Sequence, residues 1–236
     1  MAAPDVFCLG VTSGEKGKWR LISQPSFGSG QYGTVYGACK RDKCSYVMKV
    51  ISLGKKTTLD DFNKEVSLQT HLAKLGLALP VEDQWVCPNR VSDMVSERSG
   101  TGVIVMKSLD ITVKDFLAEV HTAKDADAVA NGCRSLINKL HQLGYYHGDN
   151  HFANIMMKRV SSGLFPEPNT VQTLLGRYRL YLIDLGKAGK LSEPGTIRGK
   201  EVSAAKRLRD DNVILEEEMR QITARFRPET IEALII

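Results

Sequence analysis

What the chain lacks narrows the field first. Its apolar runs, such as Gly102–Met106 and Leu180–Ile183, fall far short of the roughly 20 residues a membrane-spanning helix needs. No internal repeat and no low-complexity segment is present, which excludes solenoids and compositionally disordered arrays. Met1–Gly10 has no basic stretch followed by an apolar one, so it does not read as a secretory signal. The expectation is a cytoplasmic protein without a membrane partner. Cysteine is scarce and odd in number: Cys8, Cys39, Cys44, Cys87 and Cys133. A disulfide framework is not expected for such a chain. Cys39 and Cys44 form the one close pair, with no second Cys or His pair nearby to complete a zinc site. Buried or strand-edge thiols are the expectation. The net charge of +5 suits anionic ligands such as nucleotides or acidic peptides. No zinc-finger spacing or aromatic-rich RNA-binding motif accompanies it, so nucleic acid is not favoured as a partner.

What is present divides into two halves. Trp19–Ser23, Thr34–Ala38 and Tyr46–Ile51 are aromatic or β-branched runs bounded by turn residues, and they predict strands. Over 57–75 the residues Leu59, Phe62, Val66, Leu72 and Leu75 fall roughly on one helical face. Thr57, Thr58 and Asp60 offer capping chemistry for that helix, and Gly76 stops it. Val81–Val86 and Val103–Met106 read as two more strands. Beyond residue 107 the chain turns helical, at Ile111–His121, Asp127–Leu143, Ser203–Phe226 and Pro228–Leu234. Two short strands, Asn154–Lys158 and Arg179–Asp184, flank a Ser-, Gly- and Pro-containing stretch, Arg159–Arg177, expected to be an exposed loop. A β-rich lobe followed by a helical one, joined near Lys107–Asp110, makes an α+β fold.

Four motifs carry chemistry. Phe27-Gly28-Ser29-Gly30-Gln31-Tyr32-Gly33-Thr34-Val35 spaces its glycines as G-x-G-x-x-G. Such a turn lets backbone amides approach phosphates without a Cβ in the way, although a plain β-hairpin uses the same residues. A dinucleotide fold would require a helix after the last glycine, and Thr34–Ala38 reads as a strand. Lys49 lies within the apolar run Tyr46–Ile51, on the same face as Val47, and a lysine on a mostly buried strand needs an anionic partner. Glu65, sixteen residues on and helical, is that candidate; a snorkelling lysine and a solvated glutamate are the bland alternative. His147-Gly148-Asp149-Asn150-His151-Phe152-Ala153-Asn154 follows a helix and precedes a strand. Leu180–Ile183 leads into Asp184-Leu185-Gly186. Asn154 and Asp184 are oxygen ligands suited to Mg²⁺, and Asp149 is a carboxylate able to orient a hydroxyl or take its proton.

These four elements in this order resemble the protein kinase superfamily, from about Trp19 to Gly186. The resemblance implies a two-lobe kinase-like fold: an extension over 1–18, an N-lobe over 19–106 and a shortened C-lobe over 107–236. It makes the glycine stretch Phe27–Val35, with Val47, Lys49 and Met106, the ATP-binding set, Met106 standing in the gatekeeper place. Lys49, Glu65 and Asp149 become the catalytic set, and Asn154 and Asp184 the Mg²⁺ ligands. The activity implied is transfer of the ATP γ-phosphate to a protein hydroxyl, that of serine or threonine. The runner-up is a kinase of a small hydroxyl compound. A third reading is a kinase-shaped scaffold for a partner protein, against which the retention of all five polar residues argues.

Departures from the family pattern sharpen the expectation. His147-Gly148-Asp149 lacks the arginine that regulated kinases place before the aspartate. His151 occupies the position where Ser/Thr kinases carry lysine, which is similar to the small kinase of the KEOPS complex, to RIO kinases and to aminoglycoside or choline kinases. Leu185 replaces the usual Phe and is still apolar. Only residues 187–236 follow Gly186, and no Ala-Pro-Glu occurs among them. Asp210-Asp211-Asn212, followed by Val213, Ile214, Leu215 and Met219, is matched to the helix whose aspartate supports the catalytic loop. So short a C-lobe is similar to minimal kinases of viral and bacterial-effector type, for which the compartment would be the host cytoplasm, and it implies a docking or activating protein partner. Lys187, Lys190, Arg198, Lys200, Lys206, Arg207 and Arg209 crowd the stretch after the metal motif. They suggest an acidic protein substrate, or simply a solvated basic loop. Without the loop arginine, activity is expected not to depend on phosphorylation after Gly186. Alanine at Ser192 and Thr196 should leave phosphotransfer intact; loss of activity restored by acidic mimics would overturn this.

Overall fold

A computed structural model of the chain describes residues 19–22, 28–30, 33–91, 94–120, 122–161, 168–193, 195–197 and 200–226. It is an α+β protein of antiparallel sheets and, among the described residues, four α-helices. Two compact units divide it: residues 1–71 with 79–108, and residues 72–78 with 109–236. The expected extension over 1–18 and the helix over 228–234 lie outside the described residues. No described helix is long and apolar enough to cross a membrane.

The first unit is a six-stranded antiparallel sheet. Its strands are β1 (Trp19–Leu21), β2 (Gly28–Gly30), β3 (Gly33–Lys40), β4 (Lys43–Leu53), β5 (Asp83–Val91) and β6 (Met94–Lys107). They run in the order β1-β3-β4-β6-β5, with β2 also paired to β3. Period-2 alternation along β4 builds two cores. Met48 and Val50 point to one face and pack with Trp19, Ala38, Trp85, Val103 and Val105. Ile51 and Leu53 point to the other and pack with Ile104 and with Phe62 and Val66 of helix α1 (Leu59–Lys74). Thr58 caps α1: its Oγ1 accepts from Asp61 N at 3.2 Å, while its own N donates to Asp61 Oδ2 at 2.9 Å. That reciprocal box holds the Asp61 pKa below the usual carboxylate value through the Thr58 backbone and hydroxyl bonds. Leu59, expected in the apolar stripe, is exposed, and Glu65 and Gln69 take buried places instead. The β5–β6 hairpin extends well past the two short strands expected, because the polar residues of Met94–Gly102 continue the ladder with β4 and β5.

The expectation of free thiols fails at Cys39 and Cys44, which are disulfide-bonded. They flank the tight turn at Arg41–Asp42, where Arg41 takes φ 54° and Lys40 pairs with Lys43, so the next residue of each strand faces the other. Cys87 is also disulfide-bonded. Cys133 does stay a buried thiol, and desolvation pushes its pKa up.

The second unit packs helices on a four-stranded sheet of order β10-β11-β9-β7. Its strands are β7 (Ile111–Thr112), β8 (Tyr145–Tyr146), β9 (Ile155–Arg159), β10 (Thr170–Thr173), β11 (Gly176–Leu182), β12 (Gly189–Lys190), β13 (Gly195–Ile197) and β14 (Lys200–Val202). The helices are α2 (Val113–Glu119), α3 (Ala123–Gln142) and α4 (Ala204–Phe226). Helix α2 starts later than expected because Ile111 and Thr112 pair with β9, and Thr112 then serves as the N-cap. On α3 the residues Ala126, Val129, Ala130, Cys133, Leu136, Ile137 and Leu140 form the buried stripe, a 3.6-residue period. Gly144, at φ 83°, supplies the expected stop.

The stretch expected as an exposed loop contains strand β10, whose Val171 and Thr173 are buried. Four residues between Asn169 (φ 57°) and a Leu174–Leu175 turn are too few to show a period in the sequence. A Cβ at Gly132 of α3 would stand 2.3 Å from Val171 Cγ1 and 2.9 Å from Leu180 Cδ1. Gly132→Ala should therefore cost about 1–3 kcal/mol by overpacking, outweighing the roughly 1 kcal/mol of helix propensity that alanine adds. A lower melting temperature is expected, and a higher one would refute the packing account.

Candidate active site

In the first unit the glycine motif forms a hairpin. Gly28 pairs with Val35, Ser29 with Thr34 and Gly30 with Gly33. Phe27, Gln31 and Tyr32, expected to line a nucleotide, lie outside the described residues. Gly33 takes φ 135°, and a Cβ there would stand 2.5 Å from the Val50 carbonyl oxygen. The third glycine is thus required by the close approach of β3 to β4, whatever else it does. Directly paired residues of an antiparallel sheet share a face. Val35 pairs with Lys49, which pairs with Ile104; Val47 pairs with Met106. So Val35, Val47, Lys49 and Met106 stand on one face, as the sequence reading requires, whereas Thr34 pairs with Val50 and points to the other.

Lys49 and Glu65 meet. Lys49 Nζ donates to Glu65 Oε1 at 2.5 Å, with the residues only 7% and 6% exposed. Removing one member of such a buried pair leaves an uncompensated charge and costs about 3–5 kcal/mol. One turn further on, Gln69 Nε2 donates to the Leu79 carbonyl at 3.2 Å and contacts Met106 Sδ at 3.6 Å. The bland alternative, a snorkelling lysine and a solvated glutamate, is excluded by this geometry.

In the second unit strand pairing brings the other polar residues together. β9 and β11 are antiparallel, with Ile155 opposite Leu182. One step beyond, Ile183 N donates to the Asn154 carbonyl at 3.0 Å. Asn154 and Asp184 therefore sit at the adjoining ends of two paired strands. The amide nitrogen Nδ2 of Asn154 donates to the Asp149 carbonyl at 2.8 Å and to His151 Nε2 at 3.2 Å. Both its protons face protein acceptors, and Oδ1 is the end left to bind a cation. Asp184 adopts φ 55°, ψ 65° at the entry to a 3-10 turn, Leu185–Lys187. Among the described residues no three His, Cys, Asp or Glu side chains cluster as a metal site. Two oxygen donors, one amide and one carboxylate, fit a Mg²⁺ ion that keeps waters and phosphate oxygens as its other ligands.

The loop bearing Asp149 hangs from α4. Asp211, fully buried, accepts from His147 N and Gly148 N at 2.7 Å each and contacts His141 Nε2 at 3.0 Å. Its carbonyl accepts from Asn150 Nδ2 at 3.0 Å. Glu218, two turns along, accepts from Phe152 N at 3.1 Å. The expected supporting aspartate is therefore found, and Glu218 joins it. Asp149 itself is partly exposed: Oδ2 receives Lys187 Nζ at 2.8 Å, and Oδ1 lies 3.9 Å from His151 Nε2. Gly148 has φ 77°, and a Cβ there would stand 2.7 Å from the Lys187 carbonyl oxygen. An arginine, or any side chain, at position 148 is opposed by this backbone.

The basic stretch after Asp184-Leu185-Gly186 looks different in three dimensions. Arg207 is buried and donates to the carbonyls of Lys190 (3.0 Å), Glu193 (2.7 Å) and Val202 (3.0 Å), its guanidinium 4.9 Å from the Tyr146 ring centroid. Lys190 pairs with Glu193, and Lys206 with Asp210. Arg207 is therefore no docking cation, and sequence reasoning missed its role because an arginine among other basic residues carries no sign of burial. The Lys187–Asp149 contact was missed for a similar reason, since no periodicity marks it.

No protein-family model and no curated protein matches this chain.

His147 is fully buried, and desolvation lowers its pKa although Asp211, the Ile183 carbonyl, Asp184 and Asp149 pull upward. Nε2 lies 3.0 Å from the Ile183 carbonyl, so the neutral ring carries its proton there. Below the ordinary value of 6.5 the unfolded chain binds a proton that the native state refuses. Stability is complete above about pH 6.5 and falls as pH drops through that point, by up to about 1.4 kcal/mol per unit. His147→Gln should flatten the fall in melting temperature between about pH 6.5 and 5 relative to wild type. Parallel slopes would count against this assignment.

Proposed function

We propose that the chain is a two-lobe, protein-kinase-like phosphotransferase that moves the γ-phosphate of ATP to a serine or threonine hydroxyl of a protein. The observation that supports it most is Asn154. Its amide nitrogen is tied to the Asp149 carbonyl and to His151, which turns its oxygen free for a cation beside the strand that delivers Asp184. The Lys49–Glu65 pair of the first unit supports the same reading independently, since a buried lysine held by a helix glutamate is what orients an ammonium toward phosphates.

In this reading the backbone of Gly28, Ser29, Gly30 and Gly33 and the ammonium of Lys49 hold the phosphates, with Glu65 fixing the lysine. Val35, Val47 and Met106 offer apolar surface to the adenine. Asn154 and Asp184 hold Mg²⁺, which when bound neutralises charge on the phosphate oxygens. Asp149 orients the incoming hydroxyl and receives its proton. Asp211 keeps His147 and Gly148 in place so that Asp149 stays in register with Asn154. Positioning and charge stabilisation, rather than covalent chemistry, are what such a site contributes.

The test is transfer of label from γ-labelled ATP with Mg²⁺ to generic acidic and basic proteins and to small hydroxyl compounds, beside Asp149→Asn and Lys49→Met. Label on protein should appear with wild type and fall about 100- to 10,000-fold in Asp149→Asn, a partly exposed position whose replacement should leave the circular dichroism spectrum unchanged. Lys49→Met should lose transfer as well. Label confined to small compounds would replace this reading by the small-molecule kinase, and no transfer by the folded protein would favour a scaffold.

A further inference from the structure

We propose that Lys187 is a catalytic residue of this transfer, supplying beside Asp149 the cation that the catalytic loop itself lacks; the inference rests on the phosphotransferase reading above. The loop from Asp149 to Asn154 contains no lysine or arginine. Its His151 turns Nε2 to the Asn154 amide as an acceptor, 3.2 Å away. The ammonium that does reach the carboxylate comes from elsewhere in the chain, with Lys187 Nζ 2.8 Å from Asp149 Oδ2.

The backbone that carries this ammonium is fixed on three sides. Lys187 ends the 3-10 turn that begins directly after Asp184, closed by Ala188 N donating to the Leu185 carbonyl at 3.0 Å. Its carbonyl lies where a Cβ on Gly148 would stand, 2.7 Å away, so the glycine lets the two segments touch. Immediately beyond, Gly189 and Lys190 pair with Tyr146 and Tyr145, just before the catalytic loop. Yet the pair itself is open to solvent, the Lys187 and Asp149 side chains being 38% and 26% exposed. An ion pair of such exposure contributes little to stability. A fixed backbone presenting a reachable ammonium suits a group that must meet a substrate.

The step balances without any further reagent. The acceptor oxygen forms its bond to the γ-phosphorus as the bond from phosphorus to the bridging β-oxygen breaks, and ADP leaves with that electron pair. The hydroxyl proton passes to the Asp149 carboxylate. Lys187 takes no part in the proton transfer: it holds the Asp149 carboxylate toward the acceptor, and its ammonium turns toward the non-bridging oxygens of the phosphoryl group in flight. Charge on those oxygens is what a positioned donor stabilises during transfer.

Steady-state kinetics and melting temperatures of wild type, Lys187→Met and Lys187→Arg test this, with ATP–Mg²⁺ and whichever acceptor wild type labels. Lys187→Met should lower kcat about 100-fold, with KM for ATP within about threefold and an unchanged melting temperature. Lys187→Arg, which keeps the charge, should recover part of the loss. An unchanged kcat in Lys187→Met would overturn the inference alone. So would a raised kcat, which would make Lys187 a lock on Asp149, or a loss that follows a lowered melting temperature in both variants. Absence of transfer by wild type would instead overturn the phosphotransferase reading, and this inference with it.

Discussion

A carboxylate sealed from water, that of Asp211, is what the second unit depends on. A buried charge is tolerated only where donors surround it, and here the donors are the backbone amides of His147 and Gly148 together with the His141 ring. Because those amides belong to the loop carrying Asp149, satisfying the charge and placing the loop are one event. Bonds to a charged acceptor contribute about 1.5–3 kcal/mol each, far more than a typical loop contact. Everything downstream follows from that anchor: Asp149 lies one residue past Gly148, and its carbonyl fixes the Asn154 amide. Helix α4 is less a lid on the core than the post from which the polar loop is suspended. The first unit repeats the logic at smaller scale, where Glu65 and Lys49 cancel one another between helix and sheet.

Much of this was legible in the residues because the strongest signals are periodic or locally complete. The stripes of α1 and α3 and the glycine stops at Gly76 and Gly144 need no tertiary information. Lys49 and Glu65 could be paired on paper because a lysine in an apolar strand demands an anion. Other features are set by partners distant in sequence. Strand β10 is four residues long and becomes a strand only because β11 pairs with it and Gly132 makes room for Val171. Ile111 and Thr112 continue a helical pattern but are drawn into the sheet by β9. The Cys39–Cys44 bond follows from a turn whose register no composition argument reveals. Burial of Arg207 belongs to the same group, since it is decided by three carbonyls that converge only after folding.

The glycines of the chain illustrate how one residue type answers two demands. A Gly-rich turn suggests ligand approach, and the same absence of Cβ also lets backbone meet backbone. At Gly33 the neighbour is the Val50 carbonyl, and at Gly148 it is the Lys187 carbonyl. Both positions lie in motifs that chemistry would explain, and both have a packing reason that stands without it. A glycine in such a motif is therefore weaker testimony for a ligand than the charged residues around it. The case for phosphoryl transfer rests on Lys49, Glu65, Asp149, Asn154 and Asp184.

Arg207 carries one more implication. One side chain of α4 joins the carbonyls of Lys190, Glu193 and Val202, three points well separated along the chain. Those three bonds need nothing but the folded chain itself, so one guanidinium does for three carbonyls what an added phosphate would do for a cluster of cations.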